Sequence, residues 1–107
     1  MSTSLFRIEF YVPESHLDVV KNAMFQSGAG RVGNYDCCAW QTPGSGQFRP
    51  GADSAPFIGS VGEIETVREY KVELVCQEDC LGAVLAAMKE AHPYEEPAYA
   101  VIGLHTR

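Results

Sequence analysis

Leu5-Phe6-Arg7-Ile8-Glu9-Phe10-Tyr11-Val12 decides the architecture of this chain. In an extended backbone Phe6, Ile8, Phe10 and Val12 share one face, while Arg7, Glu9 and Tyr11 share the other. That alternation predicts a strand with one buried side. Pro13 ends it. Ser15, with Asp18 three residues later, has the form of a capping box at the start of a helix. Leu17, Val20, Met24 and Ser27 then follow one helical stripe, and Gly28 supplies a left-handed stop.

The pattern repeats in outline further along. Tyr35–Thr42, containing the only tryptophan, Trp40, reads as a second strand. Pro43 to Gly62 is rich in glycine and proline and reads as a long loop, a length that points to function or an interface. Phe48, Phe57 and Ile58 within it need cover. Val67–Cys76 alternates again, with Tyr70, Val72, Leu74 and Cys76 inward and Glu69, Lys71 and Glu73 outward. Leu81, Val84, Leu85 and Met88 stand at helical spacing within a helix predicted over Asp79–Ala91, and Ala98–Leu104 closes the chain as a strand. The order β-α-β-β-α-β predicts an α+β, ferredoxin-like sandwich. It has an antiparallel sheet, two helices on one face and a long loop between the two middle strands.

At 107 residues the chain predicts a single domain, 1–107. A hydrophobic content of 46% supports a core, and a net charge of −6 argues against a nucleic-acid surface. No apolar run approaches the roughly 18 residues of a membrane helix. Met1-Ser2-Thr3-Ser4 has no leader character, so cytoplasmic residence is the expectation. The four cysteines are then expected to be reduced.

Gly28-Ala29-Gly30-Arg31-Val32-Gly33 matches a dinucleotide fingerprint letter for letter, but a helix precedes it and a strand follows. The fingerprint needs the reverse, because the helix N-terminus holds the pyrophosphate. The glycines are expected instead to form a tight turn with positive φ. Cys37 and Cys38, adjacent in a strand, would face opposite ways. Cys76 and Cys80 form only a C-x-x-x-C pair, so a structural zinc ribbon is excluded.

His92-Pro93-Tyr94-Glu95-Glu96-Pro97 lies between the last helix and the last strand. Two prolines there stiffen an imidazole, a phenol and two carboxylates. His16 and His105 have no such company. Imidazole with carboxylates suits a divalent ion (Zn, Cu or Mn), so His92, Glu95 and Glu96 are the candidate metal ligands, with others needed from the loop or another chain. Tyr94 would shape the pocket. Nothing resembles an activated serine elbow, and a Cys–His pair, possible in principle, has no geometry in the sequence, so no enzyme is expected.

Taken in order, Gly28-Ala29-Gly30, Gly33-Asn34-Tyr35, Gly44-x-Gly46-x-Phe48-x-Pro50, Pro56-x-Ile58-Gly59, Glu69 and His92–Pro97 followed by Ala98-Tyr99 resemble the YqfO-type domain inserted in the longer NIF-three-like proteins. The resemblance covers nearly the whole chain. It implies a fold like that of the CutA and PII proteins, both ferredoxin-like and trimeric. It also implies that Gly33-Asn34-Tyr35, the Gly44–Pro50 loop and His92–Pro97 form a shared surface, which makes Asn34, Tyr35, Phe48 and Tyr94 candidate ligand contacts. The two-metal site of the long relatives lies on another domain and does not carry over. The expectation is a homo-oligomeric (dimer or trimer) binding module for a divalent metal or small ligand. A structural or protein-interaction module is the alternative, and a hydrolase a lesser one.

Overall fold

The computed structural model describes residues 4–105, so the reading of Met1-Ser2-Thr3 lies outside the described residues. Strand β1 (Leu5–Pro13) leads through a 3₁₀ turn, Glu14–His16, into helix α1 (Leu17–Gln26). Strands β2 (Trp40–Phe48) and β3 (Glu65–Gln77), helix α2 (Glu78–Ala91) and strand β4 (Tyr99–Leu104) follow. The sheet order is β2-β3-β1-β4, with every neighbouring pair antiparallel. This is the expected ferredoxin-like α+β architecture.

The predicted inner faces meet where the alternation puts them. Ile8 pairs with Leu74 and Phe10 with Val72 across β1 and β3, and Ile8, Phe10, Val12 and Val72 are fully buried. Both helices cover this face, contributing Leu17, Val20 and Met24 from α1 and Val84 and Met88 from α2. Burying each such side chain contributes about 1.5–3 kcal/mol, so this layer holds the domain together. Among the described residues no helix covers the opposite face of the sheet.

Two local expectations need correction. The capping box does not form: the N-cap of α1 is His16, without a side-chain cap. The Ser15 hydroxyl instead bonds His16 Nδ1 at 2.8 Å. The 3₁₀ turn delays the α-helix, which leaves Ser15 inside the preceding turn. The second correction concerns β2. Residues 35–39 are irregular, and the strand runs through Pro43, Gly44 and Gly46 to Phe48, so the loop shrinks to residues 49–64. Pro43 is tolerated because β2 is an edge strand, where a missing N–H need not break the ladder.

The glycine turn behaves as expected. Gly28 (φ 114°), Gly30 (φ 80°) and Gly33 (φ 57°) are left-handed. At the end of α1 the Gly28 N–H bonds the Phe25 carbonyl and the Ala29 N–H bonds the Met24 carbonyl, each at 3.1 Å, which is a Schellman motif. The expected strand placement of Cys37 and Cys38 needs correction, since both lie before β2. Cys76 is buried, whereas Cys37 is exposed and left-handed at φ 54°. Among the described residues no helix is long and apolar enough to cross a membrane.

Candidate functional site: a cleft on the helix-free face

Directly opposed residues of an antiparallel pair project to the same face of the sheet. Gly44 opposes Glu69 and Thr42 opposes Lys71, while Tyr11 opposes Lys71 from the other side. These residues therefore all project from the helix-free face. There the β2–β3 hairpin, its long loop and the 92–97 segment enclose a cleft of about 700 Å³. Its walls include Tyr11, Phe48, Phe57, Ile58, Tyr94 and Glu69. Of the apolar loop residues, Phe48 and Ile58 find cover and are half-buried, while Phe57 remains half-exposed.

His92 anchors the 92–97 segment and is itself buried, 6% exposed. Its Nε2 lies 2.7 Å from the Tyr11 carbonyl, and its Nδ1 lies 3.1 Å from the Tyr94 backbone N–H. A carbonyl only accepts and an N–H only donates. This network therefore assigns the proton to Nε2 and leaves Nδ1 an acceptor, a neutral ring held by backbone at both ends. Burial lowers the His92 pKa from its ordinary value, partly offset by the Tyr11 bond. The neutral tautomer is the one the geometry needs.

Tyr94 turns its ring into the cleft, and its hydroxyl donates to Glu69 Oε2 at 2.7 Å. Burial, reinforced by that carboxylate, raises the phenol's pKa, so the proton stays on Tyr94. Glu69 fits there because Gly46 has no side chain: a Cβ at Gly46 would collide with the Glu69 carboxylate. This explains the glycine at position 46. Glu95 Oε1 accepts from the Ala55 N–H at 2.9 Å, fastening the loop to the segment. Deeper on the face, Arg7 lies 3.1 Å from Glu9 and 3.6 Å from Glu73, and Lys71 lies 3.7 Å from Glu9.

Of the candidate residues, Phe48, Tyr94, Glu95 and Glu96 line the cleft together. His92 stands behind Tyr94 as its support rather than in the wall. His92, Glu95 and Glu96 do not converge. Both imidazole nitrogens are engaged and Glu95 is turned to the loop backbone. Among the described residues no group of three or more His, Cys, Asp or Glu could hold a metal ion. Asn34 and Tyr35 lie elsewhere. Their turn is tied to the far end of β3 by the Gly30 N–H to Val75 carbonyl bond of 2.8 Å, about 20 Å along the strand from Glu69 at strand spacing. Tyr35 is exposed there. Glu69 and Tyr11 were missed as site residues. Glu69 was readable as an outward position of β3 and as one of the residues that carry the family resemblance, but its place beside Tyr94 depends on the register with β2.

The fold and cleft define a class, a ferredoxin-like α+β domain with a binding-sized hollow on its open face. Comparison with known proteins specifies it further. No family model matches the chain. A Mycobacterium leprae protein named GTP cyclohydrolase 1 type 2 homolog is 46% identical over 101 residues, covering 94% of this chain but 26% of the relative. The solved structure of a Bacillus cereus protein related to NIF3 superposes with a TM-score of 0.85 at 32% identity. It covers 99% of this chain and 27% of that one. The periplasmic divalent cation tolerance protein CutA of Archaeoglobus fulgidus superposes with a TM-score of 0.69 at 15% identity, covering 96% of this chain and 86% of that one. The chain is thus homologous to one segment of the NIF-three-like proteins and shares the fold of CutA. It spans about a quarter of the length of the curated relatives it matches.

Proposed function

We propose that the chain is a ligand-binding module whose ligand enters the cleft between the β2–β3 hairpin, its loop and the 92–97 segment. The supporting observation is how this hollow is held open. Tyr94 is fixed by Glu69, its backbone by a buried histidine, and the loop by Glu95, so the walls are set before anything binds. Preformed hollows of a few hundred Å³ with apolar walls and few polar groups are the usual form of small-molecule sites. The engagement of both His92 nitrogens favours an organic ligand over Zn, Cu or Mn, and it leaves the imidazole no free position for proton transfer, so the reading assigns no turnover. Four free thiols fit a reducing, cytoplasmic setting.

The test uses a panel of small ring-bearing amines, alcohols and acids, followed by amide chemical shifts. Perturbations should cluster at Phe48, Ala55 and Tyr94, and vanish in Gly44→Leu. A Cβ at Gly44 meets nothing within 4 Å, and a leucine there projects into the cleft beside Glu69. Shifts scattered over the surface, or unaffected by Gly44→Leu, would end this reading.

A second reading, self-association, has its own support. Strands β2 and β4 leave both sheet edges open, and Tyr35 and Trp40 are 75% and 68% exposed. Open edges and exposed aromatic groups favour pairing with a second copy or another protein. Light scattering at micromolar concentration should give a dimer or trimer mass; a monomer would remove it.

A further inference from the structure

The charge and ring chemistry of the cleft narrow what it can hold. Among the described residues its wall carries Glu69, Glu73, Glu95 and Glu96 against a single cation, Lys71. Lys71 sits beside Glu9, and Glu73 beside Arg7. Among the described residues Glu69, Glu95 and Glu96 form no ion pair. Glu69 accepts one hydroxyl and Glu95 one amide N–H. A carboxylate offers about four acceptor positions, so acceptor capacity remains on both.

Beside these carboxylates the rings of Phe48 and Phe57 stand 6.1 and 6.4 Å from that of Tyr94, tilted at 53° and 49°. Tilted rings at this spacing do not cover one another's faces. Aromatic faces attract cations and repel anions, and the chain's net charge of −6 gives a field of the same preference. A bare ion would leave most of the 700 Å³ unfilled. Resting on the reading of the cleft as a ligand site, we propose that its ligand class is an organic cation. An ammonium or amidinium group would lie against Glu69 and Glu96, and a ring or short apolar body against Phe48, Phe57 and Tyr94.

Phenethylamine, 2-phenylethanol and phenylacetate share one ring and differ in charge, and they are the probes. Titrated separately and read at the Phe48, Ala55 and Tyr94 amides, the amine should bind at least about tenfold more tightly than the alcohol, and the acid should be weakest. Added salt should weaken the amine and leave the alcohol unchanged. In the double variant Glu69→Gln, Glu96→Gln, which keeps an acceptor for Tyr94, amine affinity should fall to that of the alcohol. Equal or tighter binding of the alcohol or acid in the cleft overturns the cation assignment while leaving the cleft standing, as does an amine affinity untouched by the double variant. Failure of all three probes to move the cleft amides overturns both.

Discussion

His92 shows how much a single buried side chain can organise. It contributes no group to the cleft wall, yet it ties the Tyr11 carbonyl to the Tyr94 N–H and so sets where the phenol points. Its pH dependence follows from its neutrality. The folded ring has a lowered pKa, whereas the unfolded ring titrates near 6.5. The stabilisation is complete above that value and is lost as pH falls through the lowered folded value, because the unfolded chain takes up the proton first. The urea midpoint should therefore drop more steeply for the wild type than for His92→Gln between about pH 7.5 and pH 5; parallel profiles would contradict this. Gly46 makes a second residue-scale case. Gly46→Ala pushes the Glu69 carboxylate aside, and the lost Tyr94 bond should cost about 1 kcal/mol. In a Tyr94→Phe background the same substitution should cost little, a coupling that a double-mutant cycle measures directly.

Among the elements, those with a buried face were legible and the edge strand was not. Phe6 to Val12 and Tyr70 to Cys76 alternate because one side of each strand must be apolar, and Leu81 to Met88 keep helical spacing for the same reason. Strand β2 has no such obligation. Its helix-free face carries Gly44 and Gly46, of which Gly46 admits the Glu69 carboxylate, and Pro43 is harmless at an edge, so composition reads as loop. The glycine turn was legible because positive φ is a local demand. It carries an element-scale prediction: Gly28→Ala must adopt a φ of 114° and place its Cβ 2.8 Å from Cys80 Sγ. It should destabilise by more than about 1 kcal/mol. Gly82→Ala, inside α2 with nothing within 4 Å, should instead stabilise by roughly 0.5–1 kcal/mol. Chemical denaturation of both variants checks the opposite signs.

At the scale of the whole molecule, the core and the proposed binding cleft lie on opposite faces of one sheet. The helix-covered face holds the core, and truncating its largest fully buried side chain, Phe10→Ala, should cost about 3–5 kcal/mol. A domain of this size has only about 5–15 kcal/mol in total, so the variant should melt far earlier while any surviving folded fraction keeps its cleft. A Phe10→Ala protein as stable as the wild type would contradict this division. The candidate site was only partly legible from the chain for the same reason. The motif at residues 92–97 announced itself by its prolines and polar groups, but its true neighbours, Tyr11 and Glu69, are brought to it by strand pairing.

The fastening of the loop has a kinetic consequence. Among the described residues, a single hydrogen bond, from the Ala55 N–H to Glu95, joins residues 49–64 to the rest of the fold, whereas β1 is bonded along both sides. Detaching that strap requires far less free energy than global unfolding. In deuterated solvent the Ala55 amide should surrender its proton long before that of Phe10. If the cleft takes a ligand as proposed, an occupant pressed against Phe57 would slow that local opening and protect the Ala55 amide.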